Sequence, residues 1–307
     1  MRVLIALDAT PGCGEIVRAV ASRPWPADTK FLLLHVLDPF PFAKAPITLK
    51  RAVEGAEAQL KSVCKDLCSR GWEVERQVAL GRPRRAIAKA AEEWNSDFVV
   101  VGSNDPSALT RLLLGSTARA VLRHAPCSVE IVRSAEKETR AEKGMQILVA
   151  TDGSKCSTAA LRSVAGRPWP QGSRAKVVSL PEPFLPMGGF PYLDLTEVEH
   201  QNDAALADAK RYAAEGAEIL TKGGLKATAE TPTPQDSDAR EIVKEAEKWK
   251  ADLIVLGSHG RRGFDRMTMG SVSEHVALHA PCSVEVIRGP QDAAKRAQKA
   301  PKKGARP

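Results

Sequence analysis

Gly257-Ser258-His259-Gly260, nine further residues and then Gly270-Ser271 make a G-x-x-G-x9-G-S pattern. Glycine is required where backbone approaches a ligand closely or takes a positive φ. A helix opening at Ser271 would present unpaired N–H groups and the positive end of its dipole. A phosphate chain satisfies such donors. The Ser271 hydroxyl serves either as a helix cap or as a phosphate ligand, and Val272 supplies a further backbone N–H. Neither the P-loop pattern nor G-x-G-x-x-G is present, because no Lys follows the glycines in G-K-[ST] form. Tight strand-to-helix turns also use glycines without any ligand, so spacing alone leaves both readings open.

Other chemistry-bearing residues carry less. His275 and His279 lie four apart, as metal ligands on a helix do, yet no third ligand accompanies them and pairing with the helix C-terminus is the simpler reading. His259 is expected to contribute backbone rather than imidazole. Cys64 and Cys68, four apart on an expected helix, meet on one face, but no CxxC partner pair exists and the six cysteines read mostly as packed thiols. Trp25 and Trp169 read as packing at the core edge, and Met267 and Met269 as packing the glycine loop down.

The elements that must position the loop emerge from an internal repeat. Val3-Leu4-Ile5-Ala6-Leu7-Asp8 recurs as Ile147-Leu148-Val149-Ala150-Thr151-Asp152, and Arg23-Pro24-Trp25-Pro26 as Arg167-Pro168-Trp169-Pro170, both at an offset of 144. Gly115-Ser116 and Ala125-Pro126-Cys127 recur as Gly270-Ser271 and Ala280-Pro281-Cys282 at an offset of 155, so the second copy carries eleven inserted residues, assigned to 185–195. Within each copy, short Val/Ile/Leu runs alternate with helical patterns, which is the signature of βαβ units and a parallel sheet. Strands are expected at 3–7, 31–36, 73–78, 98–101 and 129–132, with helices at 13–22, 49–69, 84–94 and 116–123. In the second copy they fall at 147–150, 175–180, 226–230, 253–256 and 284–287, with a long helix at 197–222. The expected organisation is a domain at 1–133, a charged linker at 134–144, a domain at 145–288 and a tail at 289–307.

A length of 307 residues suits two such domains, and 43% hydrophobic with 27% charged residues is ordinary for a soluble globular chain. The longest apolar runs fall far short of the ~20 residues of a membrane span. Met1-Arg2 leads straight into a strand, which points to the cytoplasm. Of the net charge of +8, the tail holds +5, from six basic residues and Asp292. That tail has almost no large apolar residue, so it is expected to stay disordered, with at most weak, salt-dependent contact to nucleic acid.

Taken together, the opening Val149-Ala150-Thr151-Asp152-Gly153-Ser154, the loop from Gly257 to Ser271 and Ala280-Pro281-Cys282 resemble the universal stress protein family, and the resemblance extends from Met1 to Arg288. It implies two tandem Rossmann-like α/β domains, each a five-stranded parallel sheet of order 3-2-1-4-5, with ligand at the point where strand order reverses. By analogy with ATP-binding members, Asp152 and the backbone near Leu180 would hold the adenosine side. Gly257, Gly260, Gly270, Ser271 and Val272 would hold the phosphates of ATP, with Mg²⁺. A cap on the following helix is the alternative role for Asp152. The family also implies pairing through the last strands, here 129–132 with 284–287, as a pseudo-dimer within the chain; a homodimer of whole chains stays open.

The first copy departs from the pattern. Asp105 stands where the second glycine belongs, and a carboxylate ~4 Å from a phosphate costs about 1 to 4 kcal/mol. That copy reads as a degenerate site. The second copy in turn has Thr231-Pro232-Thr233-Pro234 where the first has the turn Gly81-Arg82-Pro83. The resulting expectation is a nucleotide-responsive regulatory or stress-response module rather than an enzyme. Slow ATP hydrolysis, with Asp265 positioning water, and a nucleotide-free interaction module are the alternatives.

Overall fold

Runs such as Phe98-Val99-Val100-Val101 are apolar on both faces, so they are stable only with helices packed on both sides of the sheet they form. The computed structural model describes residues 1–10, 12–103, 114–133, 144–182, 195–261 and 269–289. Asp105, Asp265, Met267, most of the expected insertion, the linker at 134–143 and the tail from 290 lie outside the described residues.

The first half runs β1 (Arg2–Leu7), α1 (Cys13–Ser22), β2 (Lys30–Leu37), α2 (Pro46–Ser69), β3 (Glu73–Leu80), α3 (Pro83–Glu93), β4 (Phe98–Gly102), α4 (Ser116–His124) and β5 (Ser128–Val132). The second half repeats it as β6 (Gln146–Ala150), α5 (Lys155–Ala165), β7 (Arg174–Val178), α6 (Leu195–Lys222), β8 (Lys226–Glu230), α7 (Asp238–Trp249), β9 (Leu253–Gly257), α8 (Ser271–His279) and β10 (Ser283–Ile287). Helix α2 begins three residues earlier than the apolar pattern suggests. Pro46 occupies its first turn, where a missing N–H costs nothing.

All ten strands join one sheet in the order β3-β2-β1-β4-β5-β10-β9-β6-β7-β8. Pairing is parallel within each half and antiparallel between β5 and β10, where Glu130 stands opposite Glu285. Alternation along β1 sends Leu4 to one face and Val3 and Ile5 to the other. One core lies beneath α3, α4, α7 and α8, the other beneath α1, α2, α5 and α6, and each runs through both halves.

Where the halves meet, the repeated Arg-Pro-Trp-Pro turns supply buried cations. Arg23 Nε donates to Glu130 Oε1 at 2.9 Å, and Arg167 forks onto both oxygens of Glu285 at 2.7 Å. The Arg167 guanidinium lies 5.8 Å above the Trp25 ring and 5.7 Å above Phe98, both of the first half. Trp25 and Trp169 hydrogen-bond back to Val20 O and Val164 O, which holds each turn against its first helix. Two further arginines, again at matched positions, reach across to close the other half's last helix. Arg133 donates to the carbonyls of Ala277 and Leu278, and Arg288 to those of Cys127 and Arg123. Carbonyls at helix C-termini lack intrahelical partners, so a cation there is stabilising.

Candidate functional site

At the edge formed by the C-terminal ends of the strands, β6 and β9 are neighbours while their following helices lie on opposite faces, which opens a crevice between the two loops. The loop after β6 is organised by hydroxyls. Ser154 caps α5, its Oγ accepting from Ser157 N at 3.2 Å. Ser157 Oγ then meets Thr151 Oγ1 at 3.1 Å and accepts from Asp152 N at 3.4 Å. Gly153 takes φ +76, and a Cβ there would stand 2.4 Å from the Tyr212 ring of α6.

Asp152 is not the cap of α5. Its Oδ1 accepts from Ser154 N at 3.0 Å, and its Oδ2 crosses the crevice to accept from Arg261 N at 2.9 Å, so one carboxylate braces both loops. Burial pushes its pKa up, but hydrogen bonds from Ser154, Ser157 and the Arg261 amide outweigh this and hold it below the ordinary value.

Within the glycine loop the roles divide. Gly257 is buried against α5: a Cβ would stand 2.7 Å from the Cys156 and Ser157 backbone, and the Gly257 carbonyl accepts from Ser273 Oγ at 2.6 Å. Gly260 faces Asp152, whose Oδ2 would be 2.8 Å from an added Cβ. Gly270 N donates to Ser258 O at 2.9 Å, which pins the far end of the loop to its start, and a Cβ on Gly270 would be 3.0 Å from that same oxygen. Among the described residues no side chain caps the N-terminal amides of helix α8, with Ser271 exposed and Val272 half-buried. Met269 packs against the core, and His259 supplies its carbonyl to Ser154 Oγ at 3.4 Å and shares a 3.1 Å contact between its Nδ1 and Ser258 Oγ. Leu180 lies just past β7, half-buried against the core under α7 and α8.

Arg261, Ser154, Ser157 and Tyr212 were not singled out by spacing. The sequence signal that marks Arg261 is a basic residue directly after Gly260. Its guanidinium lies 5.5 Å above the Tyr212 ring and 3.5 Å from Glu182. His275 and His279 stack 4.1 Å apart, with His279 Nδ1 2.8 Å from the His275 carbonyl, the helix-end pairing rather than a metal-chelating posture. Cys13 and Cys127 are buried, as packed thiols are, whereas Cys68 is exposed at the end of α2, where the helix turns it outward.

The first half keeps an open crevice at the equivalent place. A cavity of about 280 Å³ is lined by Asp8, Gly102, Gly115 and Ser116, with Leu34, Val36 and Ile87 among its apolar walls. Asp8 there turns onto its own loop, with Oδ1 accepting from Thr10 N at 3.0 Å. In the sequence repeat Pro106 corresponds to Arg261, and proline has no N–H to offer a bracing carboxylate.

Two doubly wound α/β halves, each with crevice loops at the reversal of strand order, place the chain among ligand-binding folds of the Rossmann-like class. The family model described as Universal stress protein family matches residues 1–133 and 145–288, and the chain belongs to that family. It is 28% identical over 298 residues to a universal stress protein of Mycolicibacterium smegmatis, covering 93% of this chain and 96% of that one. In fold it is similar to a universal stress protein from Archaeoglobus fulgidus, with TM-score 0.64, 21% identity and coverage of 94% and 97%. A functionally unknown protein from Pseudomonas aeruginosa shares the fold with TM-score 0.62, 16% identity and coverage of 97% and 95%.

Proposed function

We propose that this universal stress protein is a nucleotide-responsive regulatory module that binds one ATP, with Mg²⁺, in residues 145–288. The observation that carries the reading is the Asp152–Arg261 brace, which holds the two crevice loops together beside the uncapped start of α8. Phosphates would lie on the amides of Gly270, Ser271 and Val272, where helix N–H groups lack intrahelical partners. Glycine at 260 and 270 lets Asp152 Oδ2 and Ser258 O lie where a side chain would otherwise intrude, which draws the loop tight beside α8; Gly257 forms the buried floor, and Arg261 adds a cation. Asp152 and the backbone near Leu180 would take the adenosine side. Mg²⁺ would be held by the phosphates together with the Ser271 hydroxyl.

Calorimetry with Mg-ATP tests this: one nucleotide per chain is expected, and Gly260→Asp, which puts a second carboxylate against Asp152, should abolish binding. A stoichiometry near two would show that the first half binds too, the reading its 280 Å³ cavity favours. Undiminished binding by Gly260→Asp would make the loop structural only. Overnight turnover of labelled ATP separates binding from slow hydrolysis.

A further inference from the structure

Outside the crevice, the last turns of α2 bring two thiols into contact. Cys64 Sγ and Cys68 Sγ lie 3.7 Å apart, Cys68 is exposed, and Cys64 is half-buried with its Sγ 3.7 Å from the Val74 carbonyl of β3. The surroundings are unlike those of the other cysteines. Cys13 and Cys127 are buried, and burial pushes the Cys282 thiol up to about 12. Beside Cys64 instead stands Arg76, whose positive charge favours a thiolate and opposes a bound metal cation.

We propose that Cys64 and Cys68 form a peroxide-oxidisable dithiol, with Cys68 as the attacking and Cys64 as the resolving thiol. The Cys68 thiolate attacks one oxygen of hydrogen peroxide, giving a sulfenic acid and releasing water. The Cys64 sulfur then attacks the Cys68 sulfur, a second water leaves, and a disulfide remains; two thiols are oxidised and one peroxide is reduced to two waters. The order of attack follows exposure. Cys68 is exposed and Cys64 half-buried against the Val74 carbonyl, so peroxide reaches Cys68 first.

Helix geometry supplies the consequence. Residues four apart in a helix have Cβ atoms about 5–6 Å apart, whereas a disulfide needs about 3.5–4.5 Å. Closing the bond must therefore tighten the end of α2. That end is already leaving α-helical geometry: Arg70 N donates to Leu67 O and Gly71 N to Cys68 O, both three residues back, and Gly71 takes φ +85. Trp72, packed 4.9 Å from Phe31, lies immediately beyond and reports on the change.

The sequence provides a direct assay. Lys65 lies between the two cysteines, so trypsin releases 62–65 and 66–70 as separate peptides from the reduced chain. After the full-length protein is treated with hydrogen peroxide and alkylated, the expected product is these two peptides linked, two hydrogens lighter than their sum and separated again by a thiol reductant. Cys64→Ser should leave a Cys68 sulfenic acid that dimedone traps, and Cys68→Ser should slow thiol loss at least tenfold. Appearance of Cys68 only as sulfinic acid, oxidation of another cysteine first, or Cys68→Ser reacting as fast as the unaltered chain would each overturn the proposal. ATP plays no part in the assay, so its outcome is independent of the nucleotide reading.

Discussion

Burial and hydrogen bonding act in opposite directions on the Asp152 carboxyl, and the hydrogen bonds prevail. A carboxyl held below its ordinary pKa contributes stability above about pH 3.9, and that contribution disappears as pH falls through the lower folded value. Asp152→Asn keeps one acceptor oxygen but cannot serve both Ser154 N and Arg261 N in the same way. We expect it to cost about 0.5–1.5 kcal/mol at neutral pH, the usual net worth of a hydrogen bond, since the Arg261 amide is exposed and the Ser154 amide only part-buried. Urea unfolding of the two proteins should show that gap at pH 7 and its narrowing toward pH 3. An equal gap at both pH values would mean the carboxylate charge is immaterial.

At the scale of elements, the crevice depends on how α5 begins. Ser154 caps the helix and Gly153 turns the chain into it with a positive φ against Tyr212. Ser154→Ala removes one cap and should cost about 1 kcal/mol. Gly153→Ala combines a backbone region that L-residues avoid with a Cβ driven into the α6 ring, so it should exceed the Ser154→Ala cost. Denaturant midpoints of the two variants decide this, and adding Tyr212→Ala to Gly153→Ala should recover part of the steric component. Gly153→Ala proving milder than Ser154→Ala would show that α6 yields readily at Tyr212.

The whole molecule turns on the contact between β5 and β10, where Glu130 and Glu285 face each other with Arg23 and Arg167 as their partners, all four nearly fully buried. Removing one member of a buried pair strands the other, so Arg167→Ala should cost about 3–5 kcal/mol, while Arg167→Met with Glu285→Leu should restore much of it. Thermal or urea unfolding of the single and double variants measures this. Burial and the facing Glu285 raise the Glu130 pKa against the opposing pull of Arg23, and among the described residues Glu130 Oε2 has no hydrogen-bond partner. A carboxyl raised in the fold binds its proton more tightly there than in the unfolded chain. Stability at this contact should therefore increase as pH falls through the raised value toward the ordinary carboxylate range. Halves produced separately as 1–133 and 145–307 should associate more tightly as pH is lowered toward the ordinary carboxylate range, by analytical ultracentrifugation; association that does not change with pH would show Glu130 ionised throughout.

The residues themselves determined the duplication, the alternation of strand and helix and the parallel pairing within each half, because short continuous apolar runs and period-3.6 apolar patterns are local properties of the chain. The matched Arg-Pro-Trp-Pro segments were legible as packing turns; that their arginines would neutralise Glu130 and Glu285 was not, since the partners lie more than a hundred residues away. In the crevice, the glycines stood out by type and spacing and Asp152 through the family resemblance. Which amide the carboxylate accepts from, which glycine is floor and which is rim, and which serine caps α5 depend on how β6 and β9 are set side by side. The cavity of the first half makes the same point, because Asp8, Gly102, Gly115 and Ser116 line one crevice only once β1 and β4 lie side by side. Local pattern specifies elements one at a time, whereas hydrogen-bond partners and buried charges exist only once distant strands share a sheet.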